Sequence, residues 1–61
     1  MTPTEYEKYL RSEIEKAAIS YGGNIALSEK LGMNKAYVHR GLGSGKIKYL
    51  IRIVEKIKEL A

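Results

Sequence analysis

Apolar side chains recur at steps of three and four residues along most of this chain, which is the spacing of helices with one buried face. The first predicted helix runs to about Ser20. Thr2, Pro3 and Glu5 supply a capping box at its start with proline in the first turn, and a pair of glycines follows it. Its apolar stripe consists of Tyr6, Leu10, Ile14, Ala17, Ala18 and Tyr21.

The second predicted helix is short and begins at Gly23 or Asn24. Its expected buried positions are Leu27, Ser28 and Leu31. A small residue at Ser28 permits a second helix to cross closely, because a large side chain would hold the two backbones apart.

A third helix is predicted for residues 35–42, after a turn of three residues. Gly32 stops the preceding helix because glycine tolerates a positive φ, and Asn34 is a good N-cap for the next one. A short turn containing glycine between two short helices is typical of the helix-turn-helix motif. We therefore expect the functional surface to lie in this part of the chain.

The third predicted helix has two chemically different faces when projected at about 100° per residue. Val38 and Gly41 point toward the core, with Tyr37 and Leu42 at the edges of that arc. The opposite face is short, basic and able to form hydrogen bonds, as a helix that enters a major groove must be. It consists of Lys35, Ala36, His39 and Arg40.

The fourth predicted helix follows a glycine-rich connector and covers about residues 46–60. Its core stripe is Ile47, Leu50, Ile51 and Val54. A second set widens the apolar arc to roughly half the circumference, more than a surface helix needs, and predicts a homodimer interface. This set is Tyr49, Ile53, Ile57 and Leu60. Alternatively, Tyr6 and Tyr9 of the first helix cover the extra stripe and the protein is a monomer.

Length and composition narrow the function further. The 61 residues predict a single all-α, four-helix domain over residues 1–61, near the lower size limit for independent folding. Cysteine and aspartate are absent and there is one histidine, so we expect no metal, no cofactor and no enzymatic activity. No apolar run approaches the ~20 residues of a membrane span, and Met1 does not lead into a signal peptide. We expect a cytoplasmic protein.

The net charge of +4 is unevenly distributed. Residues 1–23 carry three basic and four acidic side chains, residues 24–48 carry five and one, and residues 49–61 carry three and two. The positive excess therefore lies on the predicted helix-turn-helix and the segment after it. That concentration is typical of a nucleic-acid-binding face, although a solvated lysine-rich surface would have the same charge.

Residues 27–38, LSEKLGMNKAYV, resemble the L-A-x-x-L-G-V-S-x-x-x-[VI] pattern of Cro and phage-repressor-like regulators. The resemblance covers roughly residues 21–58 and implies a lambda-repressor-like fold and a sequence-specific protein that binds double-stranded DNA, a phage or prokaryotic transcriptional repressor or regulator. Ser28 replaces the usual alanine, and Gly41 replaces a bulky apolar anchor. The connector before Lys46 is one residue longer than the family's.

The resemblance also implies roles for individual residues. Lys35, Ala36, His39 and Arg40 match the positions that contact base edges. Asn24 matches a glutamine that contacts a phosphate at the start of the second helix, and Lys46 matches a basic residue that touches the backbone. With Asn34 and Lys48, these two form the expected phosphate-contacting set.

Other functions remain open from the sequence. The same fold serves as a protein–protein module in an antitoxin, anti-repressor or adaptor, and the broad apolar surface of the fourth helix favours that alternative. Single-stranded RNA binding would need aromatic residues on the basic face, where only Tyr37 qualifies. Lys35 and Arg40 also have a simpler interpretation as solvated charges. We expect no small-molecule ligand.

Overall fold

The structure, a computed structural model, describes residues 2–60 and contains four α-helices. They are α1 (Pro3–Tyr21), α2 (Asn24–Lys30), α3 (Tyr37–Gly43) and α4 (Ile47–Leu60). No strand occurs between residues 2 and 60, so the predicted all-α, four-helix domain is confirmed. The predicted range of 1–61 also includes Met1 and Ala61, which lie outside the described residues. No helix in the described range is long and apolar enough to cross a membrane.

The helix ends follow from the local sequence. Thr2 caps α1, because its side-chain oxygen accepts a hydrogen bond from the backbone N–H of Glu5 at 3.2 Å. Gly22 ends α1 with a φ of 100°, a conformation that glycine adopts at little cost. The predicted start and end of the first helix are therefore confirmed to within one residue.

All four helices contribute to one core. α1 packs on α2 and α4, and α3 packs on α2 and α4. The stripes predicted for α1 and α2 supply their share of the core, with Leu31 and Ala17 half-buried at its edge. The two tyrosines of the α1 stripe are a correction, because Tyr6 and Tyr21 are exposed and do not belong to the core. The buried apolar residues are Leu10, Ile14, Ala18, Leu27, Val38, Leu50, Ile53 and Val54.

The turn between α2 and α3 closes as a Schellman motif. The N–H of Met33 donates to the carbonyl of Ser28, and the N–H of Gly32 donates to the carbonyl of Glu29, both at 3.0 Å. Gly32 has a φ of 76°, as the sequence predicted. Two short helices joined by this turn form the predicted helix-turn-helix.

Candidate nucleic-acid interface

The third helix presents the face that the sequence predicted. Val38 and Gly41 are buried, whereas His39 and Arg40 are exposed on the opposite side. Tyr37 and Leu42 are half-buried at the two edges. The outward face of α3 is thus basic and rich in donors.

The start of α3 is a correction to the prediction, because the helix begins at Tyr37 and not at Lys35. Asn34 explains the delay. Its side-chain oxygen accepts from the N–H of Ala36 at 2.9 Å, and its backbone carbonyl accepts from the N–H of Tyr37 at 2.9 Å. These bonds form a turn that competes with helical bonding. Lys35 is exposed and Ala36 half-buried in that turn, so both precede the helix instead of forming its first positions.

Ser28 of α2 forms a hydrogen bond with the beginning of α3. Its hydroxyl oxygen is fully buried, accepts from the N–H of Val38 at 3.0 Å and donates to the carbonyl of Asn24 at 2.8 Å. The first N–H groups of a helix lack intrahelical partners, and no side chain of α3's own N-cap supplies one. The sequence predicted a small buried residue here but not this bond; serine in place of the family's alanine was the only signal.

The other end of α3 is held by Arg11. The Nη1 of Arg11 donates to the carbonyl oxygen of Leu42 at 2.9 Å, while its Nε lies 3.5 Å from the carboxylate of Glu7. A cation beside the last carbonyls of a helix is favourable because those groups carry partial negative charge. No local signal in the sequence indicated that Arg11 of α1 reaches another helix.

The close packing of α3 on α4 depends on Gly41. A Cβ at this position would lie 2.5 Å from the Cδ1 of Ile53, so a larger residue would require Ile53 to move. The resembled family has a bulky apolar anchor at this position, and its replacement predicted that α3 would be short or frayed at its end. The helix continues beyond Gly41 to Gly43. The structure instead shows that Ile53 from α4 occupies the space such a side chain would fill.

The predicted phosphate-contacting residues lie on four different elements: α2, the turn before α3, the connector after α3, and α4. Asn24 is the first residue of α2 and half-buried, whereas Asn34, Lys46 and Lys48 are exposed. Lys46 precedes α4 in the connector, one residue outside the helix predicted to include it, and its N–H donates to the hydroxyl of Ser44 at 3.2 Å. These four residues therefore do not form a single phosphate-binding cluster. They are distributed over the elements that precede and follow α3.

The charged side chains of α1 form ion pairs, whereas the cations of α3, α4 and their connector do not in the described part of the chain. In the described part of the chain, ion pairs join Glu7 to Arg11 and Glu13 to Lys16, both within α1. No carboxylate between residues 2 and 60 pairs with a cation of α3, α4 or their connector. The positive charge of residues 24–48 is therefore available to an anionic partner.

A groove lies between α3 and α4 beside the outward face of α3. Its volume is about 340 Å³. The residues that line it are Asn34, Tyr37, Arg40, Gly41, Ser44, Tyr49 and Ile53. We call this the α3–α4 groove. The sequence did not predict it, because its floor forms only where Gly41 meets a residue from another helix.

The predicted dimer interface requires a correction at Ile53. Only 1% of Ile53 is exposed because it packs under Gly41, so it cannot contact a second copy. Ile57 is half-buried against the core, while Tyr49 is 41% and Leu60 37% exposed. Tyr6 and Tyr9 stack on each other at a centroid distance of 6.4 Å and remain exposed. The extra stripe on α4 is thus interrupted by a core residue.

Comparison with known proteins adds no assignment to this geometry. No protein-family model, curated protein or solved structure matches the chain. The resemblance to Cro-like regulators stays a prediction from the sequence. The features that bear on function are the helix-turn-helix and its exposed charges.

Proposed function

We propose that the protein binds double-stranded DNA through the outward face of α3 and acts as a Cro-like regulator of transcription in the cytoplasm. The observation that carries this proposal is the combination of an exposed, cation-bearing helix face with unpaired positive charge on the elements around it. Phosphate neutralisation by such cations supplies the sequence-independent part of DNA affinity.

The proposal assigns two roles to the exposed residues. Arg40 and His39 lie on the outward face of α3, where side chains reach base edges when a helix enters the major groove. Lys35, in the turn before α3, extends that surface, and Ala36 beside it allows close approach. Asn24, Asn34, Lys46 and Lys48 would contact phosphates and fix the orientation of the protein.

The proposal concerns a single chain on one half-site. Pairing of two copies through α4 remains a separate prediction, and its surface is reduced to Tyr49, Ile57 and Leu60 once Ile53 is assigned to the core. A twofold pair would present two α3 helices to half-sites ~34 Å apart.

The test is selection of bound duplexes from a random pool, followed by binding measurements at several salt concentrations. For Z neutralised phosphates, we expect the log–log slope of affinity against salt to be about −0.9Z. Arg40→Ala should relax preference at particular base pairs by about 1–3 kcal/mol. Lys46→Ala should weaken all duplexes alike and reduce the slope by about 1.

Lys58→Ala is the matched control, because Lys58 is exposed near the far end of α4 and has no assigned role. It should change neither the selected consensus nor the preference among duplexes. The proposal fails if the parent selects no consensus and binds duplex with an affinity that is independent of salt. The role assignment fails if Arg40→Ala keeps the consensus while Lys46→Ala alters it.

A further inference from the structure

The α3–α4 groove combines an apolar floor with a cationic edge. The buried Gly41 and Ile53 form the floor, Tyr37 and Tyr49 supply more exposed apolar surface, and Arg40 contributes the guanidinium. Its volume of about 340 Å³ lies at the lower end of the range of ligand pockets.

Two more cations stand on the other side of Tyr49. Lys48 and Arg52 line a second, smaller depression that shares Tyr49 with the groove. The Nζ of Lys48 lies 5.3 Å from the centroid of the Tyr49 ring. No acidic residue lines either depression, and no ion pair within residues 2–60 involves Arg40, Lys48 or Arg52.

We propose that the α3–α4 groove binds a short acidic segment of a partner protein. One apolar side chain of that segment would pack against Tyr37 and Tyr49, the partly exposed aromatic residues of the groove. Carboxylates on either side of it would pair with Arg40 and with Lys48 or Arg52. Tyrosine and arginine are the residue types that most often dominate protein interfaces.

Two other occupants fit the groove less well. A DNA backbone complements the three cations but offers no apolar group to cover the exposed parts of Tyr37 and Tyr49. A second copy paired through Tyr49, as in the predicted α4 dimer, would exclude the peptide. A twofold axis at Tyr49 would also bring that copy's own Arg40, Lys48 and Arg52 against the same cations. Like charges placed against each other at an interface are unfavourable.

The groove shares Arg40 with the outward face of α3. An acidic segment paired with Arg40 would therefore compete with DNA, and by thermodynamic linkage each ligand would lower the affinity of the other. This competition rests on the proposed function, whereas the binding of the peptide itself does not. The groove would make the DNA-reading surface subject to control by a partner protein.

The test begins with selection of short peptides from a random display library on the purified chain, with counter-selection on Tyr49→Ala. We expect the recovered peptides to carry one large apolar residue flanked by carboxylates. Fluorescence anisotropy of one dye-labelled recovered peptide then gives affinities for the variants. Tyr49→Ala should lower its affinity at least about tenfold, as loss of an interface hot spot does.

Three further variants separate the two sites. Arg52→Gln should weaken the peptide and leave the selected DNA consensus unchanged, while Lys35→Ala should alter DNA binding and leave the peptide unchanged. Arg40→Gln should weaken both ligands. Lys8→Gln, an exposed cation on α1, is the control that should change neither. Thermal melts confirm that each variant is folded.

Recovered peptides without carboxylates, or equal binding to Tyr49→Ala and the parent, would overturn the proposal. So would a parent dimer in sedimentation equilibrium that Tyr49→Ala converts to monomer, since a second copy would then occupy the groove. Protection of the Tyr49 ring by duplex DNA would assign the groove to DNA. If the parent binds the peptide but no duplex, the proposed function fails and the groove assignment stands.

Discussion

At the scale of single residues, Ser28 shows how one buried hydroxyl determines where a helix is placed. Its oxygen is the partner of the Val38 N–H, and a buried N–H left without a partner costs about 1–3 kcal/mol. Alanine would recover less than about 0.7 kcal/mol through its higher helix propensity. The lost hydrogen bond is therefore the larger effect.

Ser28→Ala should lower the free energy of unfolding by about 1–2 kcal/mol, measured by urea denaturation. Ser12→Ala is the matched control, because Ser12 is exposed on α1 and its replacement should be neutral or slightly stabilising. The resembled family has alanine at the position of Ser28. Equal stability of Ser28→Ala and the parent would mean that the N–H of Val38 needs no partner from α2.

Gly41 gives a second residue-scale prediction, which a double-mutant cycle tests. In the parent, Gly41→Ala should be destabilising, because the new Cβ meets Ile53 Cδ1 at 2.5 Å and overpacking typically costs about 1–3 kcal/mol. Ile53→Val removes that methyl group, and the next atom, Cγ1, lies at an ordinary 3.7 Å. In the Ile53→Val background, Gly41→Ala should therefore stabilise by up to about 1 kcal/mol.

The cycle compares denaturation free energies of the four proteins and should yield a coupling of at least about 0.5 kcal/mol. If Gly41→Ala has an effect of the same sign and size in both backgrounds, then Gly41 and Ile53 are not in the close contact described here.

At the scale of elements, the turn between α2 and α3 depends on the conformation of one glycine. Gly32 has a φ of 76°, and a Cβ there would meet no atom within 4 Å. Any penalty for alanine is thus the backbone cost of the left-handed region, about 1–2 kcal/mol. Gly32→Ala should lower the melting temperature accordingly.

Gly43 provides the comparison for Gly32. It also has open space at its Cβ position, but it is the last residue of α3 and its φ is not positive. Gly43→Ala should therefore be neutral or stabilising. If the two substitutions shift the melting temperature equally, the left-handed conformation of Gly32 is not what closes the turn.

The helices were predictable wherever local signals decide their ends. Thr2, Gly22 and Gly32 each act on their own helix, so the ends of α1 and α2 lie within about a residue of the prediction. The start of α3 was two residues off, because Asn34 bonds to Ala36 and Tyr37 in a turn and propensity alone does not distinguish that turn from an N-cap. The contacts of Ser28 and Arg11 with α3 depend on tertiary packing, which periodicity does not contain.

At the scale of the whole molecule, the candidate site was predictable only where the position of a residue follows from the period of its own helix. His39 and Arg40 were placed correctly on the exposed face, because the buried positions of α3 follow from its own period. The prediction that Ile53 lies in a dimer interface was wrong. A wide apolar arc on α4 does not reveal which of its residues packs against Gly41. The groove therefore appears only when α3 and α4 are packed together.

The assignment of Ile53 to the core makes a prediction about folding of the whole chain. A domain of this size has a stability of about 3–9 kcal/mol at 0.05–0.15 kcal/mol per residue. Ile53→Glu would place a carboxylate at a site with 1% exposure, which costs several kcal/mol. That penalty is comparable with the total stability, so Ile53→Glu should lose cooperative thermal unfolding in far-UV circular dichroism. Leu60→Glu, on the same helix at 37% exposure, should remain folded. A folded Ile53→Glu that differs from the parent only in sedimenting as a monomer would instead place Ile53 at an interface between copies, and the packing of α3 on α4 described above would be wrong.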